Sequence, residues 1–212
     1  MQIQIIDHPL LSHKLSLLRD KNTETFLFRN LINETVTLLA FEATRDIKLT
    51  KLGVETPLTS TMGLKMSNPS PIIIPVLRAG LGMLQGLANL IPTADIGFLG
   101  MSRNEETFET ITYANKVPEN LEGRLCFILD PMLATGGTLV SAINCLLEKG
   151  ASNIIVMNIL ATNEGLKYVE NSFKESDISL KIFLCAIDER LNSKNYILPG
   201  LGDAGDRLFG VN

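Results

Sequence analysis

The sequence has few of the residues that bind structural metals or form disulfide bridges. Its 212 residues include only two histidines, His8 and His13, and three cysteines that lie far apart in apolar segments. A zinc-finger type of site needs clustered Cys and His ligands, so the sequence gives it no support. An odd number of widely spaced cysteines does not indicate a disulfide framework. We therefore expect Cys126, Cys145 and Cys185 to be reduced, buried residues of an intracellular protein.

Positive charge is not concentrated anywhere in the chain. The 19 lysines and arginines are outnumbered by 23 acidic residues, the net charge is −4, and no long basic run occurs. Proteins that bind nucleic acids usually carry a basic patch or stripe. We therefore expect no nucleic-acid partner, and any basic site must be local.

The sequence also lacks the patterns of a signal peptide and of a membrane-spanning helix. The segment MQIQIIDHPLLSHK carries an acid and histidines where a signal peptide has positive charge followed by an apolar block. The apolar stretch at residues 71–92 is interrupted by Arg78, prolines and glycines, which favours a strand followed by a helix. We therefore expect a cytoplasmic protein without membrane contact.

The composition is typical of one globular domain spanning residues 1–212. Hydrophobic residues make up 45% and charged residues 20% of the chain, which is ordinary for a protein with a packed core. From His8 to about Asp46, apolar residues recur at three- and four-residue steps, which predicts two N-terminal helices. Residues 50–70 are rich in Thr, Ser, Gly and Pro and indicate a loop or short edge strands.

Short apolar runs alternate with helical patterns in the rest of the chain. The runs are PIIIPVL, ADIGFLGM, RLCFILD, NIIVMNIL and LKIFLCAID. Strands buried on both faces and separated by helices predict an α/β fold with a mostly parallel central sheet flanked by helices. Pro75 argues against a central strand at its position. Residues 104–117 indicate a mobile hairpin or loop attached to the sheet, and the glycine-rich segment 193–212 is loop-like.

Charged residues follow the predicted strands. Arg78, Arg103, Asp130 and Asp188 each come at or after the end of an apolar run. Because ligands bind outside the carboxyl ends of strands in an open parallel sheet, we expect these two cations and two acids at one edge. Each also has a simpler interpretation as a turn or surface residue. For Asp188, ending a strand and touching the site are equally open.

Small residues after Asp130 predict an anion site. The run Ala134-Thr135-Gly136-Gly137-Thr138 stands at the start of a predicted helix, where free N–H groups and the helix dipole favour a phosphate. The run has no lysine and is not a Walker loop. Asp130 lies one loop away and can accept hydrogen bonds from vicinal sugar hydroxyls. The predicted ligand is a sugar phosphate.

The segment DPMLATGGT, residues 130–138, resembles the signature of the phosphoribosyltransferase family. Pro131 makes it similar to the uracil-specific branch in particular, and this chain has one acid where other members usually have two. The likeness extends to HPLLSHKLSLLRD, PVLRAGLGM, GMSRNEET and YILPGLGDAGDRLFG. These five separated motifs occur in order, from near the start of the chain to near its end.

The resemblance implies transfer of the 5-phosphoribosyl group from 5-phosphoribosyl 1-diphosphate (PRPP) to N1 of uracil, giving UMP and diphosphate. It implies Asp130, Asp203 and Arg103 as catalytic residues and a C-terminal loop that covers the base. PRPP would be bound by Arg78, Arg103, Asp130, Pro131, Met132, Leu133, Ala134, Thr135, Gly136, Gly137, Thr138 and Asp203. Uracil would be bound by Ile197, Gly202, Asp203 and Ala204.

The same resemblance implies Mg²⁺ bound mainly through PRPP, with no metal-binding residue assigned. It also implies a homodimer or larger homo-oligomer, and GTP as a possible allosteric activator.

Three other functions can be compared with this interpretation. Residues 200–205 match the G-x-G-x-x-G pattern of dinucleotide-binding enzymes, but no room follows for the helix, strand and acid that this pattern requires. A nucleotide-sensing regulator that binds RNA should have a basic face. A phosphoribosyltransferase for another base should lack the segment GLGDAGD.

Overall fold

The computed structural model describes residues 1–103 and 110–210 and has the predicted α/β fold. The helices are α1 (Pro9–Arg19), α2 (Thr25–Ala43), a 3₁₀ helix (Ala79–Met83), α3 (Leu84–Ala88), α4 (Gly137–Leu147), α5 (Asn163–Ser172) and α6 (Ala204–Phe209). The strands are β1 (Gln2–Ile5), β2 (Leu49–Glu55), β3 (Ser60–Met66), β4 (Ile72–Leu77), β5 (Asp95–Ile96), β6 (Phe98–Arg103), β7 (Thr110–Lys116), β8 (Leu125–Leu129), β9 (Met132–Leu133), β10 (Asn153–Met157), β11 (Leu160–Thr162), β12 (Ser179–Leu184), β13 (Ala186–Asp188), β14 (Arg190–Leu191) and β15 (Ile197–Leu198). Within these described ranges, every helix is too short or too polar to cross a lipid bilayer.

The central sheet has the strand order β1-β12-β10-β8-β4-β6-β7, with β5 also beside β4. All pairs are parallel except β6 with β7. Successive side chains of its inner strands alternate between two cores. Ile73 and Phe127 pack with the side that carries α1, α2 and α6, whereas Ile74 and Ile128 pack with the side that carries α4 and α5. Burial on both faces explains why these strands are continuously apolar.

The expectation that Pro75 would not lie in a central strand is wrong. β4 is flanked by β8 on one side and by β5 and β6 on the other. On the second side, β5 pairs with Ile72 and Ile73, and β6 pairs with Val76 and Leu77. Pro75 lies in the gap between these two pairings, where a missing N–H interrupts no ladder.

The N-terminal helices are confirmed, and residues 50–70 are more ordered than a loop. β2 and β3 pair along their whole length as an antiparallel hairpin, from Leu49 with Met66 to Glu55 with Ser60. The hairpin is a separate two-stranded sheet and is not at the edge of the central one. Its side chains are largely exposed, so no apolar periodicity indicated it in the sequence.

Part of the predicted hairpin at 104–117 is a strand. Residues 110–116 form β7, which pairs antiparallel with β6 at the sheet edge. Residues 104–109 lie outside the described residues, so the predicted mobility stays a prediction.

A second small sheet continues the central one beyond its carboxyl edge. β9, β11 and β13 follow β8, β10 and β12 in the chain and pair in the order β13-β11-β9, all parallel. Asp130 lies between β8 and β9, and Asp188 is the last residue of β13, so two of the charged residues predicted to form a site border this layer.

Candidate active site

Asp130 directly follows β8 at the carboxyl edge of the central sheet. Its N–H donates to the carbonyl of Met157 at 3.2 Å, and its own carbonyl accepts from the Asn158 side-chain amide at 2.6 Å. Among the described residues, the carboxylate accepts one long hydrogen bond, 3.4 Å, from the Met132 N–H. Although part of Asp130 reaches solvent, desolvation by the surrounding protein raises the pKa of this carboxyl to about 6, and the Met132 N–H offsets a little of that rise. The main chain is fixed, while most lone pairs of the carboxylate stay available for a ligand.

Residues 130–138, which we call the phosphate loop, enclose a cavity of about 80 Å³. It is lined by Asp130, Met132, Leu133, Ala134, Thr135, Gly136, Thr138 and Leu139. Gly136 is the N-terminal cap of α4 and has φ +87°, a conformation that residues other than glycine rarely adopt. The free N–H groups at the start of α4 therefore border the cavity that the sequence assigned to a phosphate.

The start of α5 holds the phosphate loop from behind. The buried Thr162 hydroxyl donates to the Ala134 carbonyl at 2.6 Å and accepts from the Gly165 N–H at 3.0 Å. A Cβ on Gly165 would lie 2.3 Å from that same carbonyl oxygen, and one on Gly136 would lie 2.8 Å from the Gly165 carbonyl oxygen. The two backbones are in direct contact, so the shape of the loop depends on both glycines.

Arg78 follows β4, the strand next to β8. Its guanidinium lies 3.6 Å from the Asp206 carboxylate. A Cβ built on Gly205 would lie 3.2 Å from the Asp203 carboxylate and 4.0 Å from the Arg78 guanidinium. The fold thus brings the arginine predicted to bind diphosphate next to the C-terminal segment predicted to bind the base.

That C-terminal segment is not simply a loop, as the sequence had suggested. Residues 197–204, which we call the base turn, begin in β15 and end at the start of α6. Asp203 caps α6 by accepting from the Asp206 N–H at 2.9 Å. Ile197 and Ala204 are buried, and Gly202 has φ +80°. A short capped helix therefore follows the turn and fixes its last residue.

Asp188 supports the base turn from below. It is the last residue of β13, and its buried carboxylate accepts from Arg19 on both oxygens, at 2.6 and 2.7 Å, and from the Gly200 N–H at 2.8 Å. Sequence reasoning missed Arg19, although the motif HPLLSHKLSLLRD contains it. A basic residue in the last turn of a helix is ordinary, so no local signal pointed to this role.

Arg103 is the last residue of β6, so its backbone ends on the strand beside β4. Its side chain lies outside the described part of the structure. The backbones of Arg78, Arg103 and Asp130 therefore follow three adjacent strands at the same edge, as predicted.

The histidines lie at the start of α1 and within it, and the cysteines lie in β8, in α4 and directly after β12. His8 caps α1 by accepting from the Leu10 N–H at 3.1 Å, and His13 lies exposed on the same helix. The cysteines are free thiols, with Cys126 buried and Cys145 and Cys185 partly buried. Among the described residues, no group of three or more His, Cys, Asp or Glu side chains could hold a metal ion.

The chain is similar to known proteins along its whole length. Residues 5–211 match the family model described as uracil phosphoribosyltransferase. A uracil phosphoribosyltransferase of Bifidobacterium longum (strain DJO10A) is 56% identical over 212 residues, covering 100% of this chain and 99% of that protein. One of Paenarthrobacter aurescens (strain TC1) is 56% identical over 211 residues, with the same coverage.

Solved structures agree on the fold. The AQ2163 protein from Aquifex aeolicus has a TM-score of 0.93 at 41% identity, covering 100% of this chain and 99% of that one. A hypoxanthine-guanine phosphoribosyltransferase from Bacillus anthracis has a TM-score of 0.50 at 16% identity, covering 75% and 78% of the two chains, and supports the fold alone. With the phosphate loop and the base turn in place, these matches establish that the chain belongs to the uracil phosphoribosyltransferase family.

Proposed function

We propose that this protein transfers the 5-phosphoribosyl group from PRPP to N1 of uracil, giving UMP and diphosphate in pyrimidine salvage, at the edge between the phosphate loop and the base turn. The observation that carries the proposal is the position of Arg78, which lies between the strand end next to Asp130 and the start of α6 after the base turn. One substrate must span both halves, and a sugar carrying a phosphate at one end and reacting with a base at the other fits that span.

The phosphate loop is the proposed binding site for ribose 5-phosphate. Backbone N–H groups at residues 134–138 and the hydroxyls of Thr135 and Thr138 would bind the phosphate. Asp130 would accept hydrogen bonds from the ribose hydroxyls. A pKa of about 6 leaves Asp130 ionised at neutral pH, so its negative charge is present when the sugar becomes cationic in the transition state.

Arg78 and Arg103 would bind the diphosphate. The bond between C1 of the ribose and the diphosphate oxygen breaks in this reaction, and the leaving group gains negative charge. Arginine forks are suited to that charge because they donate paired hydrogen bonds to phosphate oxygens. The backbones of the two arginines lie at the ends of neighbouring strands, which is consistent with one shared ligand.

The base turn is the proposed reader of uracil. Uracil presents an acceptor, a donor and an acceptor along one edge, and fixed N–H and C=O groups at Ile197, Gly202 and Ala204 can match this series. Cytosine would leave buried backbone groups unpaired, which reduces binding strongly. Asp203, next to both the base turn and Arg78, is the proposed catalytic residue at the junction of uracil and PRPP.

The residues of the site fit a Mg²⁺ ion held mainly by PRPP. The described residues contain no metal-binding cluster, and Mg²⁺ commonly keeps several waters while using one or two carboxylates and substrate phosphates. Asp130 and Asp203 are the carboxylates that would contact such an ion or its waters. When bound, the ion would neutralise charge on the leaving diphosphate.

We also propose that the protein is a homodimer or larger homo-oligomer. The hairpin of β2 and β3 carries large exposed apolar side chains: Leu49, Leu52, Val54, Leu58, Met62 and Leu64. Contact with a second copy would remove this apolar surface from water. Light scattering of the wild type and of Leu64→Lys tests it: a lower mass for the variant supports the hairpin contact, and a monomeric wild type excludes it.

Regulation and location are proposed from the resemblance to the family. We propose that the enzyme works in the cytoplasm, where PRPP and uracil are substrates, and that GTP activates it. The rate of UMP formation with and without GTP tests the second proposal, and equal rates would contradict it.

Product formation tests the central proposal. The protein is incubated with PRPP, Mg²⁺ and either uracil, cytosine, hypoxanthine or no base, and UMP is separated by chromatography. We expect UMP from uracil and no nucleotide from the other bases. Product from hypoxanthine alone would support the proposed role of the phosphate loop but contradict the proposed role of the base turn in binding uracil. PRPP binding without product would favour a regulatory binding protein.

A further inference from the structure

Two arginines connect the base turn to the end of α1, far away in the sequence. Arg19 donates to the Gly200 carbonyl at 2.8 Å as well as to both oxygens of Asp188, which in turn accepts from the Gly200 N–H. Both main-chain polar groups of Gly200 are thereby bound to one ion pair, the Arg19–Asp188 pair.

The second arginine, Arg207, acts on the next residue of the turn. It donates to the Leu201 carbonyl at 2.7 Å, to the Asp20 carbonyl at 2.6 Å and to the Leu18 carbonyl, and its guanidinium lies 4.2 Å from the centre of the Phe28 ring. It therefore joins the base turn to the same end of α1 that carries Arg19.

The base turn needs such support because of its own composition. Gly200 has φ +64°, and a Cβ there would lie 2.1 Å from the Ile197 carbonyl oxygen. Glycine is required for this tight turn, yet glycine also loses more conformational freedom on folding than any other residue. A backbone that reads a base by its N–H and C=O groups must hold them in place before the base arrives.

We propose that Arg19 and Asp188 are positioning residues for base binding and base selection: they fix the main chain at Gly200, so that the following residues of the base turn present their backbone groups to uracil. This inference rests on the proposed function. It explains why a buried carboxylate, 4% exposed, and an arginine from another part of the chain meet at a glycine. Neither residue needs to touch the substrate.

The placement of the pair separates this role from a general contribution to stability. A buried ion pair is weak evidence for stability, since desolvation offsets much of the attraction. Here each partner also makes a hydrogen bond to the main chain of the base turn, Arg19 to the Gly200 carbonyl and Asp188 to the Gly200 N–H. Loosening the pair should therefore weaken the binding of uracil more than the binding of PRPP, because the proposed contacts of PRPP belong mainly to the phosphate loop.

The test uses Arg19→Lys and Asp188→Asn in the full-length protein, with Arg124→Lys as a matched control. Arg124 also donates to main-chain carbonyls, of Ser70 and Pro71, and to one carboxylate, Asp95, but it precedes β8 at the opposite edge of the sheet. Lysine keeps the charge and lacks the planar fork that serves several acceptors. KM for uracil, KM for PRPP, kcat and the PRPP dissociation constant are measured for each variant.

We expect the KM for uracil to rise about tenfold in Arg19→Lys and Asp188→Asn, the order of change when a charge-assisted hydrogen bond is lost. The KM and dissociation constant for PRPP should stay within about twofold of wild type, a change too small to indicate a lost contact. Discrimination against cytosine should weaken, seen as nucleotide formed from cytosine where the wild type forms none. The double variant should be no worse than either single one, because the two residues act as a unit.

Two results would overturn the inference. One is a KM for uracil that stays unchanged in both variants while both bind PRPP normally. The other is an equal loss for uracil and PRPP that Arg124→Lys reproduces, which would show a structural role only. If one variant fails to bind PRPP, the inference is tested with the other variant. Asp188→Asn is suited to this because asparagine preserves the shape of the side chain. Failure of the proposed function would be visible separately, as a wild type that forms no UMP.

Discussion

The phosphate loop, which follows the strand next to that of Arg78, and the base turn, which precedes its partner Asp206, are held in different ways. The phosphate loop leaves β8, passes through β9 and enters α4, so the main chain of the sheet and the start of α5 position it. The base turn joins a two-residue strand to a six-residue helix, and side chains from other parts of the chain position it.

This difference has a consequence for how each half tolerates change. A loop fixed by backbone contacts is sensitive to added volume, because two main chains already touch. A turn fixed by arginines and a carboxylate is sensitive to the geometry of hydrogen bonds and charge. PRPP binding and uracil binding should therefore be separable by mutation, although the two substrates react with each other.

Replacing Asp130 with Asn is expected to have the largest effect and to act through the phosphate loop. Turnover should fall by about a hundredfold to a thousandfold, the loss typical when one preorganised group that stabilises transition-state charge is removed. Asparagine keeps the shape and one acceptor oxygen but loses the negative charge facing the sugar. The rate of UMP formation at saturating substrate measures this loss of turnover. Turnover near that of wild type would show that Asp130 is not part of the active site.

The same variant should be more stable than wild type at neutral pH. Burial raises the pKa of Asp130 from its usual 3.8 to about 6, so ionisation is harder in the folded than in the unfolded protein. The penalty is absent at acid pH, where both states hold the proton, and it develops fully as the pH rises through the folded pKa. We expect Asp130→Asn to gain about 2–3 kcal/mol near pH 8 by urea unfolding. A gain of the same size near pH 3 would contradict this cause.

Asp203→Asn comes next and tests the base turn. Asparagine is as good a helix cap as aspartate, so α6 should persist. Turnover should nevertheless fall by about a hundredfold, the lower range for loss of a group that acts on protons or developing charge. The control is thermal unfolding, which should show an unchanged midpoint. Unchanged turnover would mean that Asp203 only caps α6.

The phosphate loop could be predicted from the sequence because its parts are contiguous. Asp130, the small residues after it and the start of α4 lie within nine positions, and the strand before them is continuously apolar. What could not be predicted is its environment. Thr162 and Gly165 hold the loop from the next helix, and the raised pKa of Asp130 arises from burial by the whole fold.

The support of the base turn could not be predicted at all. Arg19 and Gly200 are 181 positions apart, and each looks ordinary where it stands. Asp188 was recognised as a charged residue at a strand end, but its two roles stayed open until its partners were known. The helix α6 was also missed, because the glycines around it outweighed the signals of Asp203 as a cap and Leu208 as a buried residue.

Gly165→Ala tests whether the phosphate loop depends on backbone contact. The new Cβ would lie 2.3 Å from the Ala134 carbonyl oxygen, so the loop must move. We expect the PRPP dissociation constant to rise about tenfold, in line with the usual penalty of overpacking. The KM for uracil at saturating PRPP should not change. Gly53→Ala is the matched control, because a Cβ there meets no atom within 4 Å. An unaltered PRPP dissociation constant in Gly165→Ala would contradict the prediction.

Asp206→Asn should have the smallest effect, a change in the KM for PRPP. The direction of that change shows whether Asp206 competes with the diphosphate for Arg78 or holds Arg78 in position. The Arg78–Asp206 pair is long, 3.6 Å, and both side chains are largely exposed, at 62% and 43%, so it contributes little. The hydrogen bond that caps α6 is kept, because Asp203 accepts it from the backbone N–H of Asp206. If Asp206 merely competes with the diphosphate for Arg78, its neutralisation should lower the KM for PRPP by about twofold at low salt, and screening should remove the difference at high salt. A higher KM for PRPP would mean instead that Asp206 holds Arg78 in position. Asp206, which follows the base turn, would then help to bind the diphosphate. PRPP binding and uracil binding would not be separable by mutation at this residue.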